Sequence, residues 1–533
     1  MAHERGAADR WQEISASPTV PRHIGPTDRL TADDLFAEPV PQPDDLDEKL
    51  RRTYFWLVNR AVISPYYDIE FDAEGTAATT FPIGDAGAQL TLPTAQSYSS
   101  AVLLPLLTFA VGGTCLLIGG PGRGKTTVAV LMGVLAGGSA EDVRRGVQQG
   151  QPQLTISDLV GLPLPRDLVN ASSLAEISIA WRGWLTRPVK IVDEYNRIPT
   201  KTQSALLTMV AEGYVESHDQ MLYTAPSSGV ESWFFTANDD AGGGTFPVIA
   251  ALRDRMDVTV GALPFNSRFL GELIARVEAA ETPEQHVPPQ LVFTSDEQQR
   301  LRATILAVPF PDDVRRRLEF FVSHFEFVQH GGRRFEYRTK DTVATGGGRV
   351  SEIIDANTGA DLESDLGAQT LNGLSVRALT SLITYAKAIA HFRGGTSVTL
   401  ADLSAILPFV LRGKLMPNHR HPRFDRAGDI ELTVDHTSWL ADLFATSNRE
   451  FDTLGLGDGD PVAELIDRLD TGLDGLTALE VTRRITEIQV QINDISRTQK
   501  AYGRNFDDLL TLKYLHQRYT NYLQWLTDVG SNP

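Results

Sequence analysis

The sequence predicts an α/β fold: a parallel sheet flanked by helices, followed by further helical segments and a C-terminal helical hairpin. Three observations predict it. A charge-free run leads into GGPGRGKT, a second apolar run ends in two adjacent acids, and two apolar stripes of helical spacing occupy the last sixty or so residues.

The stretch AVLLPLLTFAVGGTCLLIGGPGRGKTT (101–127) opens with eighteen uncharged residues. A membrane span needs about 20 mostly apolar residues without interruption. Here Pro105, Gly112-Gly113 and Gly119-Gly120-Pro121 interrupt the run. Two short elements fit better. Residues 97–110 read as a helix apolar nearly all round, and 114–118 (TCLLI) as a buried parallel strand, which is expected to be continuously apolar. Gly119, Gly120, Pro121, Gly122, Arg123, Gly124, Lys125 and Thr126 then fit G-x-x-x-x-G-K-[ST], with the helical run that starts at Thr126-Thr127 behind them. Such glycines let backbone N–H groups wrap an anion, and the helix N-terminus adds a favourable field. Lys125 is placed to reach phosphates and Thr126 to hold Mg²⁺.

A phosphate loop needs an acidic site on a neighbouring strand. VKIVDE (189–194) is an apolar strand ending in Asp193-Glu194. Asp193 is the candidate for the Mg²⁺ shell and Glu194 for activating the attacking water, because phosphoryl transfer needs positioning and charge neutralisation more than covalent chemistry. WFFTAN (233–238) reads as a third strand, with Asn238 at the end that lines the ligand crevice of a parallel sheet.

Composition bounds the rest. The chain has 533 residues, 42% hydrophobic and 22% charged, enough for two or more domains of ordinary globular type. A net charge of −19 argues against a broad nucleic-acid footprint. The single cysteine, Cys115, excludes an internal disulfide or a multi-cysteine metal site, and its strand makes it a core thiol. The N-terminus is polar without an apolar signal core, so a cytoplasmic location with no membrane span is expected.

The expected organisation is a flexible acidic, proline-rich arm over 1–50, an N-terminal extension over 51–93, the nucleotide-binding core over 94–265, a helical region over 266–415 with a polar, glycine-rich insertion at 329–370, and a helical extension over 416–533. In that extension Val481, Ile485, Ile488, Ile492 and Ile495 step by four and three, and Leu512, Leu515, Tyr519, Tyr522 and Leu526 do the same, which predicts an antiparallel helical hairpin. Trp181 and Trp184 read as core residues, Arg315-Arg316-Arg317 as a solvated helix face, and His419, His421 and His436 as surface residues rather than metal ligands.

These pieces resemble the MoxR family of AAA+ ATPases, in the clade with an insertion in the second helix. VDEYNRIPTKTQSALLTMVAEGYV (192–215) is similar to that family's Walker B segment and QLTISDLVG (153–161) to the strand and turn before it. GTFPVIAALRDRMDV (244–258) resembles the segment that ends in an arginine finger, and 374–415, beginning LSVRALTSLITYAKAIAHF, resembles the lid. The likeness covers roughly residues 90–415. It implies an AAA+ fold with an α-helical lid, ATP and Mg²⁺ as ligands, and roles position by position. Lys125 and Thr126 bind phosphate and metal, Asp193 and Glu194 form Walker B, and Asn238 is sensor 1. Arg255 is the arginine finger, with Arg253 as competitor, and Arg377 is sensor 2, acting in cis or in trans. The resemblance further implies a homo-oligomeric ring, most often a hexamer, and remodelling or activation of a client protein, often with a partner carrying a von Willebrand factor A domain. Asp494-Ile495-Ser496-Arg497-Thr498 is the nearest approach to that domain's metal motif, but it lies in the heptad-like helix with too little chain behind it, so such a partner is expected as a separate chain. The chain departs from the family in carrying Asp239-Asp240 and glycines after Asn238 in place of Asn-Pro. A nucleotide-gated scaffold with slow hydrolysis and a motor for nucleic-acid processing are the competing functions.

Overall fold

The computed structural model describes residues 45–530 apart from 64–65, 74, 77, 85–87, 171–176, 226–228, 239–245, 247, 263, 281, 328–333, 341–364, 427, 458 and 498–502. Residues 1–44 of the expected arm over 1–50, most of the 329–370 insertion and the Asp239-Asp240 departure lie outside the described residues, and residues 46–50 of that arm belong to a helix. The chain packs as two compact units. One runs up to Phe310 and resumes over Arg377–Gly413; the other comprises Pro311–Val376 and the chain from Lys414.

The described helices of ten or more residues are, in chain order, α1 (Leu46–Trp56), α2 (Ser100–Val111), α3 (Lys125–Leu135), α4 (Thr200–Glu212), α5 (Leu270–Ala279) and α6 (Ser295–Ala307). There follow α7 (Asp312–Ser323), α8 (Val376–Phe392), α9 (Leu400–Leu411), α10 (His436–Thr453), α11 (Pro461–Asp470), α12 (Ala478–Ser496) and α13 (Arg504–Gly530).

In the first unit five strands form the central sheet: β1 (Thr114–Ile118), β2 (Gln148–Gln149), β3 (Val189–Asp193), β4 (Ser232–Ala237) and β5 (Val258–Gly261). Their order is β5-β1-β4-β3-β2, and every pairing is parallel. The apolar runs of β1 and β4 sit in the middle, where both faces are covered, and Cys115, Phe234 and Phe235 are fully buried. Burial pushes the Cys115 thiol well above its ordinary range, which makes it an inert core thiol. Lys190 interrupts the apolar pattern of β3 and is buried; its ammonium is satisfied by the carbonyl oxygens of Arg187 and Thr224, each at 2.9 Å, and by Glu231 at 3.0 Å.

The uncharged run before the phosphate loop is split as the interruptions require. Helix α2 is buried on all sides and ends at Gly112, whose φ of +69° turns the chain into β1. The helix begins at Ser100 rather than at residue 97, because Ser97–Tyr98 pair as a short antiparallel strand with Ile69–Glu70. Among the described residues no helix is long and apolar enough to cross a membrane.

In the second unit the two predicted stripes do meet. Val481 and Ile488 of α12 pack against Leu512, Leu515 and Tyr519 of α13, with Val462 and Leu465 of α11 joining the cluster. Thr477 and Glu480 form a capping box that fixes the start of α12. The arginine run on α7 is not a bare solvated face: Arg315 pairs with Asp312 and Glu319, Arg316 donates to the Gly457 carbonyl, and Arg317 pairs with Asp452 while lying over Phe451. His421 is buried, where a surface position is expected, because its ring accepts the Arg423 N–H and starts a short 3₁₀ turn.

At the start of α13, burial first, and then the Asp508 and Glu326 carboxylates, push the Asp507 carboxyl up to about 7. The folded chain therefore binds this proton more tightly than the unfolded chain. The site stabilises the unit in acid, and that contribution is lost as pH rises through about 7. Asp507→Asn is expected to flatten the decline in stability between about pH 4 and pH 7, measured as the urea midpoint at each pH.

Candidate nucleotide site

Parallel pairing delivers the site. Ala237 is level with Ile118 on β1, as is Gly261 on β5, and Phe235 is level with Val192 on β3. The residues that follow these strands, Gly119, Asn238 and Glu194, therefore emerge at one edge of the sheet. The phosphate loop spans the turn from β1 to α3. Gly122 (φ +73°) and Gly124 (φ +75°) hold left-handed conformations with nothing within 4 Å of where a Cβ would lie, so loop N–H groups can turn inward without a side chain in the way.

At that edge the predicted residues are brought together. The Lys125 ammonium donates to the carbonyl oxygens of Gly119 (2.6 Å) and Gly120 (2.9 Å) and to Asn238 Oδ1 (3.0 Å). Thr126 Oγ1 donates to Asp193 Oδ1 at 2.9 Å. Asn238 Nδ2 donates to Glu194 Oε1 at 2.6 Å. Glu194 sits at φ +53°, an uncommon position for a non-glycine residue. That turn aims its carboxylate along the edge rather than continuing the strand.

Several residues without a role in the sequence reading complete the arrangement. The Thr236 hydroxyl donates to Asp193 Oδ1 and accepts the Glu194 N–H at 3.0 Å, so one side chain on β4 orients both acids. Its signal is its place two residues before Asn238, on the same side of the strand. Arg197 Nη1 donates to Glu194 Oε2 at 2.8 Å, one turn after the acids. Asn196 donates to the Asn238 carbonyl at 3.4 Å and its own carbonyl accepts the Phe246 N–H at 2.8 Å. Gln203, buried on α4, donates to the Ile198 carbonyl and accepts the Ile249 N–H at 3.1 Å. The polar residues of the DEYNRIPTKTQ run thus tie the acids to β4 and to the segment that leads into Arg253 and Arg255. Gly150 lies directly beneath: its N–H donates to the Asp193 carbonyl at 2.7 Å, and a Cβ there would stand 2.1 Å from the Glu194 carbonyl oxygen.

The donor set fits a nucleoside triphosphate and Mg²⁺. An ammonium and inward-turning amides suit phosphate oxygens, while the Thr126 hydroxyl and the Asp193 carboxylate are hard oxygen ligands of the kind Mg²⁺ takes.

Arg255 and Arg377 are not part of this edge. They line a cavity of about 570 Å³ together with Arg302, Asp254, Asp257 and Glu231. Thr114, the first residue of β1, and Trp233, near the start of β4, line it too. The cavity therefore lies at the opposite ends of the strands. From Thr114 to Ile118 the strand rises about 13 Å at about 3.3 Å per residue, farther than an arginine side chain spans. Arg377 Nη1 lies 3.4 Å from Asp254 Oδ2, and Arg255 Nη1 donates to the Ala251 carbonyl at 3.1 Å. Burial, and then the neighbouring Arg377 charge, lower the Arg255 guanidinium from its ordinary value. Arg253 packs instead beside Gly413. Asp257 anchors the cavity wall: its carboxylate accepts the Thr114 N–H at 2.7 Å and the Ser381 hydroxyl at 2.5 Å, one turn beyond Arg377 on α8.

Comparison with known proteins adds a family model and a likeness to solved structures. Residues 366–433 match the AAA lid domain. A solved structure of a candidate ATPase from Cytophaga hutchinsonii shares 20% sequence identity, covers 66% of this chain and 89% of its own, and superposes with a TM-score of 0.43, too loose a likeness to assign any residue. No curated protein matches the chain. The lid-domain match, on a chain whose five-stranded parallel sheet ends in this phosphate loop, gives the protein the α/β fold of the AAA+ ATPases.

Proposed function

We propose that the chain is a Mg²⁺-dependent ATPase of the MoxR type that works as a homo-oligomeric ring, most simply a hexamer, and spends hydrolysis on remodelling or activating a client protein. One observation carries the reading: the phosphate-binding and acidic residues gather at one end of the sheet, and the two arginines gather at the other. Lys125 and the loop amides bind phosphate. Thr126 and Asp193 would hold Mg²⁺, which when bound supplies charge neutralisation at the transferring phosphoryl group. Glu194 accepts the proton of the attacking water, and Asn238 fixes the direction of its carboxylate. Arg255 and Arg377 are out of reach of their own nucleotide, so both act in trans on the site of a neighbouring copy, where a guanidinium stabilises transition-state charge. The residue run over 192–215 supports the MoxR assignment, and that family supports a separate von Willebrand factor A partner and a protein client. A slow, switch-like ATPase acting as a nucleotide-gated scaffold is favoured by a different observation: both Glu194 oxygens already accept hydrogen bonds, from Asn238 and from Arg197.

Two sets of variants test the reading. Glu194→Gln is expected to lower turnover by about 10²–10⁴-fold while ATP binding persists, and Lys125→Ala is expected to lose the binding itself, both read with a fluorescent ATP analogue alongside phosphate release. The specific rate of the wild type should rise with protein concentration as subunits assemble. Arg255→Ala should reduce it by about 10³-fold or more, and mixing Arg255→Ala with Lys125→Ala should partly restore it. A rate independent of concentration, with Arg255→Ala at wild-type activity, would remove the shared-site reading. A wild-type turnover too slow for work but sharply nucleotide-dependent partner binding would select the scaffold.

A further inference from the structure

Arg412 directly follows α9, inside the segment that matches the AAA lid domain, and has no role in the sequence reading. Its place is set by apolar packing. Ile406, Leu407, Val410 and Leu411 of α9 are fully buried, and the helix lies against β5. The Arg412 N–H donates back to the Pro408 carbonyl at 3.2 Å, which fixes the residue to the end of the helix. Its side chain reaches the last residue of β5. A Cβ on Gly261 would stand 3.5 Å from Arg412 Nη1, so the guanidinium lies over that glycine. Gly261 is level with Ile118 on β1, and the N–H of the next residue, Ala262, donates to the Ile118 carbonyl at 2.6 Å. A Cβ on Gly119, the first residue of the phosphate loop, would come within 2.8 Å of the Ala262 Cβ. The guanidinium therefore stands beside the root of its own chain's phosphate loop.

It stands on a definite side of that loop. The order β5-β1-β4-β3-β2 puts β5 on one flank of β1 and the strand that bears Asp193 on the other. With neighbouring strands about 4.8 Å apart, the acid-bearing strand lies about 10 Å to one side of β1 and Gly261 about 5 Å to the other. A triphosphate with its γ-phosphate at Glu194 and its metal between Thr126 and Asp193 runs back across the loop towards β5. The part that reaches this flank is the α-phosphate, where the nucleoside begins. Of the other cations near the loop, Arg123 is exposed, Lys125 donates to the Gly119 and Gly120 carbonyls and to Asn238, and Arg197 pairs with Glu194. Arg412 is half-buried and, among the described residues, has no ion-pair partner. A guanidinium so placed matches phosphate oxygens with two parallel N–H groups.

We propose that Arg412 binds the α-phosphate of the nucleotide held by its own chain, and so serves ATP and ADP alike rather than the transferring phosphoryl group. This inference rests on the reading of this edge as a nucleotide site.

Displacement of a fluorescent ATP analogue from the full-length chain, by MgATP and separately by MgADP, tests it. Arg412→Ala is expected to weaken both nucleotides by a like factor, about ten- to a hundredfold, because both carry the α-phosphate. KM for ATP should rise in step while kcat at saturating ATP stays within about threefold, as for a contact made equally in the ground and transition states. Arg412→Lys keeps the charge without the planar fork, and its affinities should fall between wild type and alanine. Far-ultraviolet circular dichroism reports folding, and Arg412→Gln, uncharged and still long, takes the place of an alanine variant that does not fold. Weakened ATP with unchanged ADP would put the residue at the γ-phosphate and overturn the proposal. Unchanged affinity for both nucleotides would overturn it too, and would leave the nucleotide site standing. A wild-type chain that binds neither nucleotide would remove that site and this proposal with it.

Discussion

One carboxylate oxygen holds the nucleotide end of this molecule together. Asp193 Oδ1 accepts from Thr126, at the head of α3, and from Thr236, on β4. Three segments distant in sequence are thereby locked at one point: the helix behind the phosphate loop, the strand that bears the acids, and the strand that bears Asn238. The arrangement requires parallel strands in one register. If β4 slipped by a single residue against β3, Thr236 would face the other side of the sheet, and both its hydrogen bonds to the acid pair would be lost. The buried apolar faces of β1, β3 and β4 prevent that slip, since the same shift would turn their side chains away from the layers they fill. The precision of the polar edge is thus a by-product of apolar packing well below it.

The parts of this architecture written in local patterns were legible in the sequence. The strand 114–118 stands where its apolar run ends at a glycine, and the two stripes of the C-terminal unit meet as expected of helices with apolar residues at four-and-three spacing. The phosphate loop and the acid pair announce themselves because their chemistry needs particular residue types at fixed intervals. What stayed hidden depends on pairing between distant segments. Thr236 looks like any strand threonine until β4 lies beside β3. Arg197 belongs to a recognisable run, but its pairing with Glu194 follows from the left-handed turn at Glu194, which no propensity favours. Gly150 sits in an unremarkable loop, and only the contact with the Glu194 carbonyl gives its missing side chain a meaning.

The arginines illustrate the same limit from the other side. Motif likeness selects Arg255 and Arg377 from two segments far apart in sequence but says nothing of where they lie. In the fold they share one cavity, because Asp257 binds the start of β1 and the first turns of α8 together. The trio Arg315, Arg316 and Arg317, equally conspicuous in the sequence, is consumed by contacts within its own unit. Of the three, only Arg317 takes an acidic partner from a later helix, Asp452 on α10.

The strand β1 is anchored at both of its ends. Its far end opens into the phosphate loop, and the N–H of its first residue, Thr114, is held by Asp257, whose other oxygen holds Ser381 on α8. Two hydrogen bonds thus couple the strand to a lid-matched helix with no loop between them. β1 is hydrogen-bonded along both of its edges, so the phosphate loop and the base of the helix that carries Arg377 are tied to the two ends of one fixed strand. Any lengthening of β1 by an inserted residue would break that linkage while leaving both ends chemically intact.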